Sequence, residues 1–117
     1  MTGKISYETG EIWRINLDPT VGAEIRKSRP CLILNNDTIG KLPLKVIAPL
    51  TDFKEHYVSV PWMVIVDPDP GNGLHKRSVV DLFQVRSLSE KRFIERLGAV
   101  DEEALQRCRE ALCRVVK

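Results

Sequence analysis

Arg29-Pro30, set directly before the apolar run Cys31-Leu32-Ile33-Leu34, constrains this chain more than any other feature. A proline ring fixes its own φ and drives the preceding residue to extended geometry. The apolar run, bounded by that proline and by Asn35-Asn36-Asp37, reads as a buried strand. Upstream, Ile12, Ile15 and Leu17 interleave with polar residues, which predicts a half-buried strand starting at Glu11. Asp18-Pro19 stops it and Gly22 marks a turn, so residues 19–28 form a charged loop. The segment GEIWRINLDPTVGAEIRKSRPCLILNN is therefore strand, loop, strand, with several cations and the carboxylate of Glu24 beside a rigid strand start.

The rest of the chain is a series of short strands. Residues 36–43 make a second loop, and 45–50 a strand ending at Thr51-Asp52. Residues 57–60 alternate and 62–66 continue after Pro61, as one bent strand or two edge pieces. DPDPGNG, residues 67–73, is turn chemistry throughout. Residues 78–83 and 93–97 read as strands, with one helical turn over 89–92. The last element is the clearest helix. Asp101 is its N-cap, Glu102 and Glu103 suit its positive end, and Ala104, Leu105, Cys108, Ala111, Leu112 and Val115 form one stripe. Six or seven short strands plus a C-terminal helix predict a mainly β chain, a strongly bent sheet or barrel.

With 117 residues this is one domain, expected over 10–117 behind a flexible segment over 1–9. The net charge of +2, from 18 basic and 16 acidic residues, is too small to demand a polyanionic partner. Any such role rests on local clustering. Cys31, Cys108 and Cys113 form no C-x-x-C pair, which argues against zinc and redox motifs and for a reducing cytoplasm. No apolar run reaches the ~18 residues of a membrane span, and the N-terminus lacks an apolar signal core.

Arg29 points in a defined direction, and its planar fork suits a phosphate. Read alone, it is equally a surface arginine paired with a carboxylate. Thr51 can donate a hydrogen bond to a phosphate oxygen from a strand end, or simply cap a turn with Asp52. Arg26, Lys27, Lys41, Lys45, Lys76 and Arg77 are candidates for a phosphate-tracking rim, or plain solvated charge. His56 and His75 read as solvated loop residues. Trp13 reads as core packing, and Trp62 as the more exposed of the two tryptophans.

The stretch from Gly10 to Asn36 resembles the MazF/PemK family of toxin endoribonucleases. Gly10, Glu11, Ile12, Trp13, Leu17, Pro19, Gly22, Glu24, Arg29, Pro30 and Asn35 fit the family signature in order. A second stretch, with Gly73, Leu74, Ser78, Val80, Gln84, Val85, Arg86 and Ser87, fits its later motif. The resemblance implies an SH3-like barrel with a C-terminal helix, shared with the CcdB gyrase poisons, and a homodimer. It implies Arg29 and Thr51 as catalytic residues, with Glu24 as a proton acceptor or, preferably, the ion partner that orients Arg29. It implies metal-independent cleavage of single-stranded RNA, chiefly mRNA, with no cofactor. It also implies a cognate antitoxin whose disordered acidic tail blocks the RNA groove. Arg26, Lys27, Lys76, Arg77, Gln84 and Arg86 become RNA-binding candidates, with Gln84 and Arg86 alternatively buttressing the active loop. Phe83 and Asp81 stand where some members carry an acid and an arginine, so those roles do not transfer. A CcdB-like binder or a non-cleaving homologue is the competing expectation.

Overall fold

The computed structural model describes residues 5–39 and 42–117. Among the described residues seven antiparallel strands and one α-helix follow in the order β1 (Glu11–Asn16), β2 (Ser28–Ile33), β3 (Leu44–Asp52), β4 (Met63–Val66), β5 (Ser78–Asp81), β6 (Arg86–Ser89), β7 (Phe93–Ala99) and α1 (Glu102–Val116). The sheet runs β4-β5-β3-β2-β1-β7. β3 is its spine. One edge pairs with β2, and the other is shared by β6 along its first half and β5 along its second. The 3-10 turn Leu82–Gln84 carries the chain between those two partners. Register irregularities between β1 and β7 add local twist, and the sheet curls without closing into a continuous barrel.

Both faces of the sheet are covered. Ile12, Leu32, Ala48 and Leu50 face α1 and pack with Leu105, Cys108 and Ala111. Trp13, Ile15, Cys31, Ile33 and Ile47 face the other way, into a cluster closed by Leu88, Tyr7 and Phe93. Tyr7, Trp13 and Phe93 meet at ring separations of 4.8, 5.0 and 5.6 Å. β1 is therefore not half-buried as its alternation predicted. Its partners β2 and β7 make it an inner strand, and even its first residue, Glu11, lies inside.

Other differences are local. Residues 57–59 belong to a 3-10 helix, Glu55–Ser59, with Val60 as its C-cap, rather than to a strand. Hydrogen bonds from Tyr57 N to Lys54 O and from Val60 N to Tyr57 O close it, and a four-residue alternation fits such a turn as well as a strand. The strand expected over 78–83 stops at Asp81, whose carboxylate accepts from Phe83 N and starts the Leu82–Gln84 turn. The turn expected near 89–92 is a 3-10 helix over Glu90–Arg92. Asp101 caps α1 as expected, accepting from Ala104 N at 2.8 Å. Among the described residues no helix is long and apolar enough to cross a membrane.

Candidate active site

The β1–β2 loop is built to present Arg29. Its stem closes where Leu17 N donates to Lys27 O at 2.9 Å and Lys27 N donates to the Asp18 carboxylate at 3.1 Å. Lys27 sits at φ +70°, a conformation unfavourable for a side-chain-bearing residue, and these two bonds hold it there. The Asp18–Pro19 peptide is cis. Arg92 Nη1 donates to the carbonyls of Asn16 and Asp18, pinning the stem from β7's side. Gln84 pins the loop's far arm, accepting from Ile25 N at 2.6 Å and donating to Ala23 O at 3.2 Å. Chain direction out of Lys27 is thereby set, and Arg29 enters β2 opposite Ile15.

Arg29 and Thr51 line one cleft of about 220 Å³, together with Arg14, Pro30, Asp52, Leu74, His75 and Lys76. Both are half-buried. Thr51 does not end its strand, because β3 runs on to Asp52 and Thr51 pairs with Val79 of β5. The cross-strand ladder, rather than a turn, therefore holds its backbone. Arg29 donates from Nε to Arg26 O at 3.4 Å, and among the described residues it has no ion-pair partner. Two neighbouring cations do have one: Arg14 meets Glu95 at 3.0 Å, and Lys76 meets Asp52 at 3.0 Å. A guanidinium and a hydroxyl that line one cleft can both donate hydrogen bonds to an anionic oxygen entering it.

Glu24 is not part of it. Its carboxylate accepts from Val21 N at 2.7 Å and caps its own loop, so it does not orient Arg29. It lines a second pocket of about 410 Å³, with Leu17, Pro49, Phe83, Gln84 and Arg86. Several RNA-binding candidates also have structural work. Both amide atoms of Gln84 serve the loop. Arg86 donates to Leu17 O at 3.2 Å. Arg77 makes a two-point pair with Asp67 and lies over the Phe53 ring at 5.2 Å. Lys45 faces Glu90 at 3.5 Å in a separate pocket. Arg26 and Lys27 are exposed cations in the loop that leads to Arg29, Lys76 is exposed but paired with Asp52, and Lys41 lies outside the described residues.

The buried thiols are inert. Burial pushes Cys31 up to about 12, although Arg86 and Arg29 oppose it, and burial likewise pushes Cys108 up to about 12. Cys113 is exposed. Among the described residues no group of three or more His, Cys, Asp or Glu side chains is arranged to hold a metal. Trp13 is buried and donates to Glu11 at 2.9 Å, as core packing predicts. Trp62 is half-buried and meets the exposed Phe83 ring at 5.2 Å.

Two residues of the cleft were missed in the sequence. Arg14 looks like an ordinary exposed position of an alternating strand. His75 looks like a solvated loop histidine, and it is exposed, yet it borders the same cleft as Arg29 and Thr51. The only sequence signal was its place between the Gly73-Leu74 turn and Ser78, and the β5 register that gives this place meaning is a long-range contact.

A family model for PemK-like, MazF-like toxins of type II toxin–antitoxin systems matches residues 8–116. A curated relative named endoribonuclease MazF9, from Mycobacterium tuberculosis, is 27% identical over 110 residues, covering 88% of this chain and 90% of the relative. The crystal structure of MazF from Deinococcus radiodurans superposes with a TM-score of 0.79 at 24% identity, over 97% of this chain and 98% of that one. A crystal structure of MazE-MazF from the same organism matches with a TM-score of 0.71 at 25% identity, over 94% and 95% of the two chains. With the family model spanning nearly the whole chain and the same fold in these structures, this chain belongs to the PemK-like, MazF-like toxins of type II toxin–antitoxin systems.

Proposed function

We propose that the chain is a metal-independent, sequence-selective endoribonuclease that cuts single-stranded RNA at the Arg29–Thr51 cleft, arresting translation in the cytoplasm. The observation that carries this reading is the presence of a guanidinium without an ion-pair partner among the described residues and a strand-held hydroxyl in one cleft. The relative named an endoribonuclease supports the activity. RNA carries its own nucleophile, the 2′-hydroxyl, which DNA lacks. The 2′-oxygen attacks the adjacent phosphorus, and negative charge builds on the non-bridging oxygens. Arg29 and Thr51 donate to those oxygens, where preorganised donors contribute most. The products are a 2′,3′-cyclic phosphate and a 5′-hydroxyl. Arg26, Lys27 and Lys76 attract the flanking phosphates.

The toxin acts as a homodimer, and a cognate antitoxin with an acidic, disordered tail neutralises it by covering the cationic cleft. The MazE-MazF structure supports such a partner. Glu24 and Gln84 act by shaping the loop that carries Arg29.

The test is incubation of the purified protein with long single-stranded RNA in EDTA, beside Arg29→Ala. Discrete cuts with 5′-hydroxyl ends are expected, reduced ~10²–10³-fold in the variant. Intact RNA on several unrelated substrates would refute the activity and favour a non-cleaving binder.

A further inference from the structure

His75 borders the cleft that holds Arg29 and Thr51, and the fold spends unusual structure on keeping it there. On its N-terminal side, Asn72 is fully buried. Its side chain accepts from Asp69 N at 3.2 Å and Leu74 N at 3.0 Å, and donates to Asp67 O at 2.8 Å. Gly73 has φ +72° and lies so close to β7 that an added Cβ would sit 2.7 Å from the Leu97 carbonyl carbon. Leu74 packs against the helix-side core. On its C-terminal side, Ser78 Oγ donates to Lys76 O at 3.0 Å, and Ser78 enters β5 opposite Asp52. Phe53 N donates to Arg77 O at 3.2 Å. Only three residues separate the anchored Leu74 from Ser78, so His75 has little backbone freedom.

The proposed cleavage leaves one chemical need unmet. An alkoxide is a poor leaving group from phosphorus and needs a proton as the P–O bond breaks. A guanidinium and a threonine hydroxyl serve as hydrogen-bond donors rather than as proton-transfer groups. The Lys76 ammonium is drawn to Asp52. Of the side chains lining the cleft, the imidazole is the type that exchanges a proton near neutrality. Arg14, Arg29 and Lys76 are the other charged donors around it, and Asp52 the carboxylate.

We propose that His75 is the general acid of the reaction, giving its proton to the 5′-oxygen. This rests on the endoribonuclease reading above. The 2′-oxygen bonds to phosphorus while its proton passes to water. The P–O5′ bond breaks and its electron pair goes to the 5′-oxygen, which takes the imidazolium proton. Neutral His75 then recovers a proton from solvent.

The experiment measures single-turnover cleavage by the full chain of an RNA with one mapped cut site, and of the same RNA with sulfur replacing the bridging 5′-oxygen there. A thiolate leaves without a proton. His75→Gln should slow the oxygen substrate ~10²–10³-fold and leave the sulfur substrate near the wild-type rate, while Arg29→Ala slows both. A melting curve for His75→Gln matching wild type is expected, since the side chain is exposed. Equal rates of His75→Gln and wild type on the oxygen substrate, or equal losses on both substrates, would overturn the proposal while leaving the endoribonuclease reading intact. A wild-type protein that cuts neither RNA would overturn both.

Discussion

Gly98→Ala should damage the molecule through one added methyl group. Gly98 lies in β7 directly under the 67–73 loop, and a Cβ there would sit 2.5 Å from the Asn72 carbonyl carbon and 2.8 Å from its Cα. Ordinary carbon contacts are ~3.5 Å or more, so the loop must lift by about 1 Å. Backbone, not a flexible side chain, is what has to move. Overpacking of this kind costs ~1–3 kcal/mol. Lifting also breaks the bond from Ala99 N to Gly71 O, 2.9 Å long, worth ~1 kcal/mol. A total of about 3 kcal/mol, at ~2.1 cal/mol/K of unfolding entropy per residue, lowers Tm by roughly 12 °C. Because the loop leads into Leu74 and His75, the cleft shifts too, and a displacement of ~1 Å can cost ~10²-fold in rate. The assays are thermal unfolding and RNA cleavage well below the lowered Tm. Gly71→Ala is the control: its Cβ would meet nothing closer than Asp69 Oδ1 at 3.6 Å, so it should melt near wild type. Gly98→Ala with unchanged Tm and full activity would refute the claim that close backbone approach locks this loop.

Three further outcomes are expected. Burial alone would raise the Glu11 carboxyl, but donation from Glu8 N, the Trp13 indole and Arg96 outweighs it, and the group stays below its ordinary value. A depressed carboxylate stabilises above its unfolded pKa, about 4.3 for glutamate, and loses that contribution as pH falls through the folded one. Urea midpoints should therefore show Glu11→Gln weaker than wild type at pH 7, with the gap closing toward pH 3. Asp81 runs the other way: burial holds its carboxyl above the ordinary value, despite donation from Phe83 and Gln84 N–H groups. Its charge then costs stability at neutral pH, so Asp81→Asn should be the more stable protein at pH 7 and lose that advantage in acid; the reverse order would be fatal to this assignment. Gln84→Ala frees Ile25 N and Ala23 O, and limited proteolysis should cut within residues 19–26 several-fold faster, while the melting curve falls by no more than the ~1–3 kcal/mol of two lost bonds.

What could be read directly from the residues was local chemistry. Pro30 sets the geometry of Arg29, Asp101 caps the final helix, and the DPDPGNG run makes a turn, because each depends on φ limits or a side chain reaching a backbone N–H nearby. Ordered spacings over Gly10 to Asn35 were enough to mark the family. Tertiary structure decided which groups meet. Thr51 joins Arg29 only because β3 pairs with β2 on one edge and with β5 on the other. The same β5 register, with Asn72 and Gly73 clamped against β7, brings His75 to that cleft. Glu24, close to Arg29 in sequence, turns to Val21 N instead, and Gln84 spends its amide on the loop. Hydrogen-bond partners are chosen by competition among every group the fold brings within reach. Sequence distance carries no record of that competition, so Arg29, Thr51 and Lys76 were legible through the motifs while Arg14 and His75, and the departure of Glu24, were not.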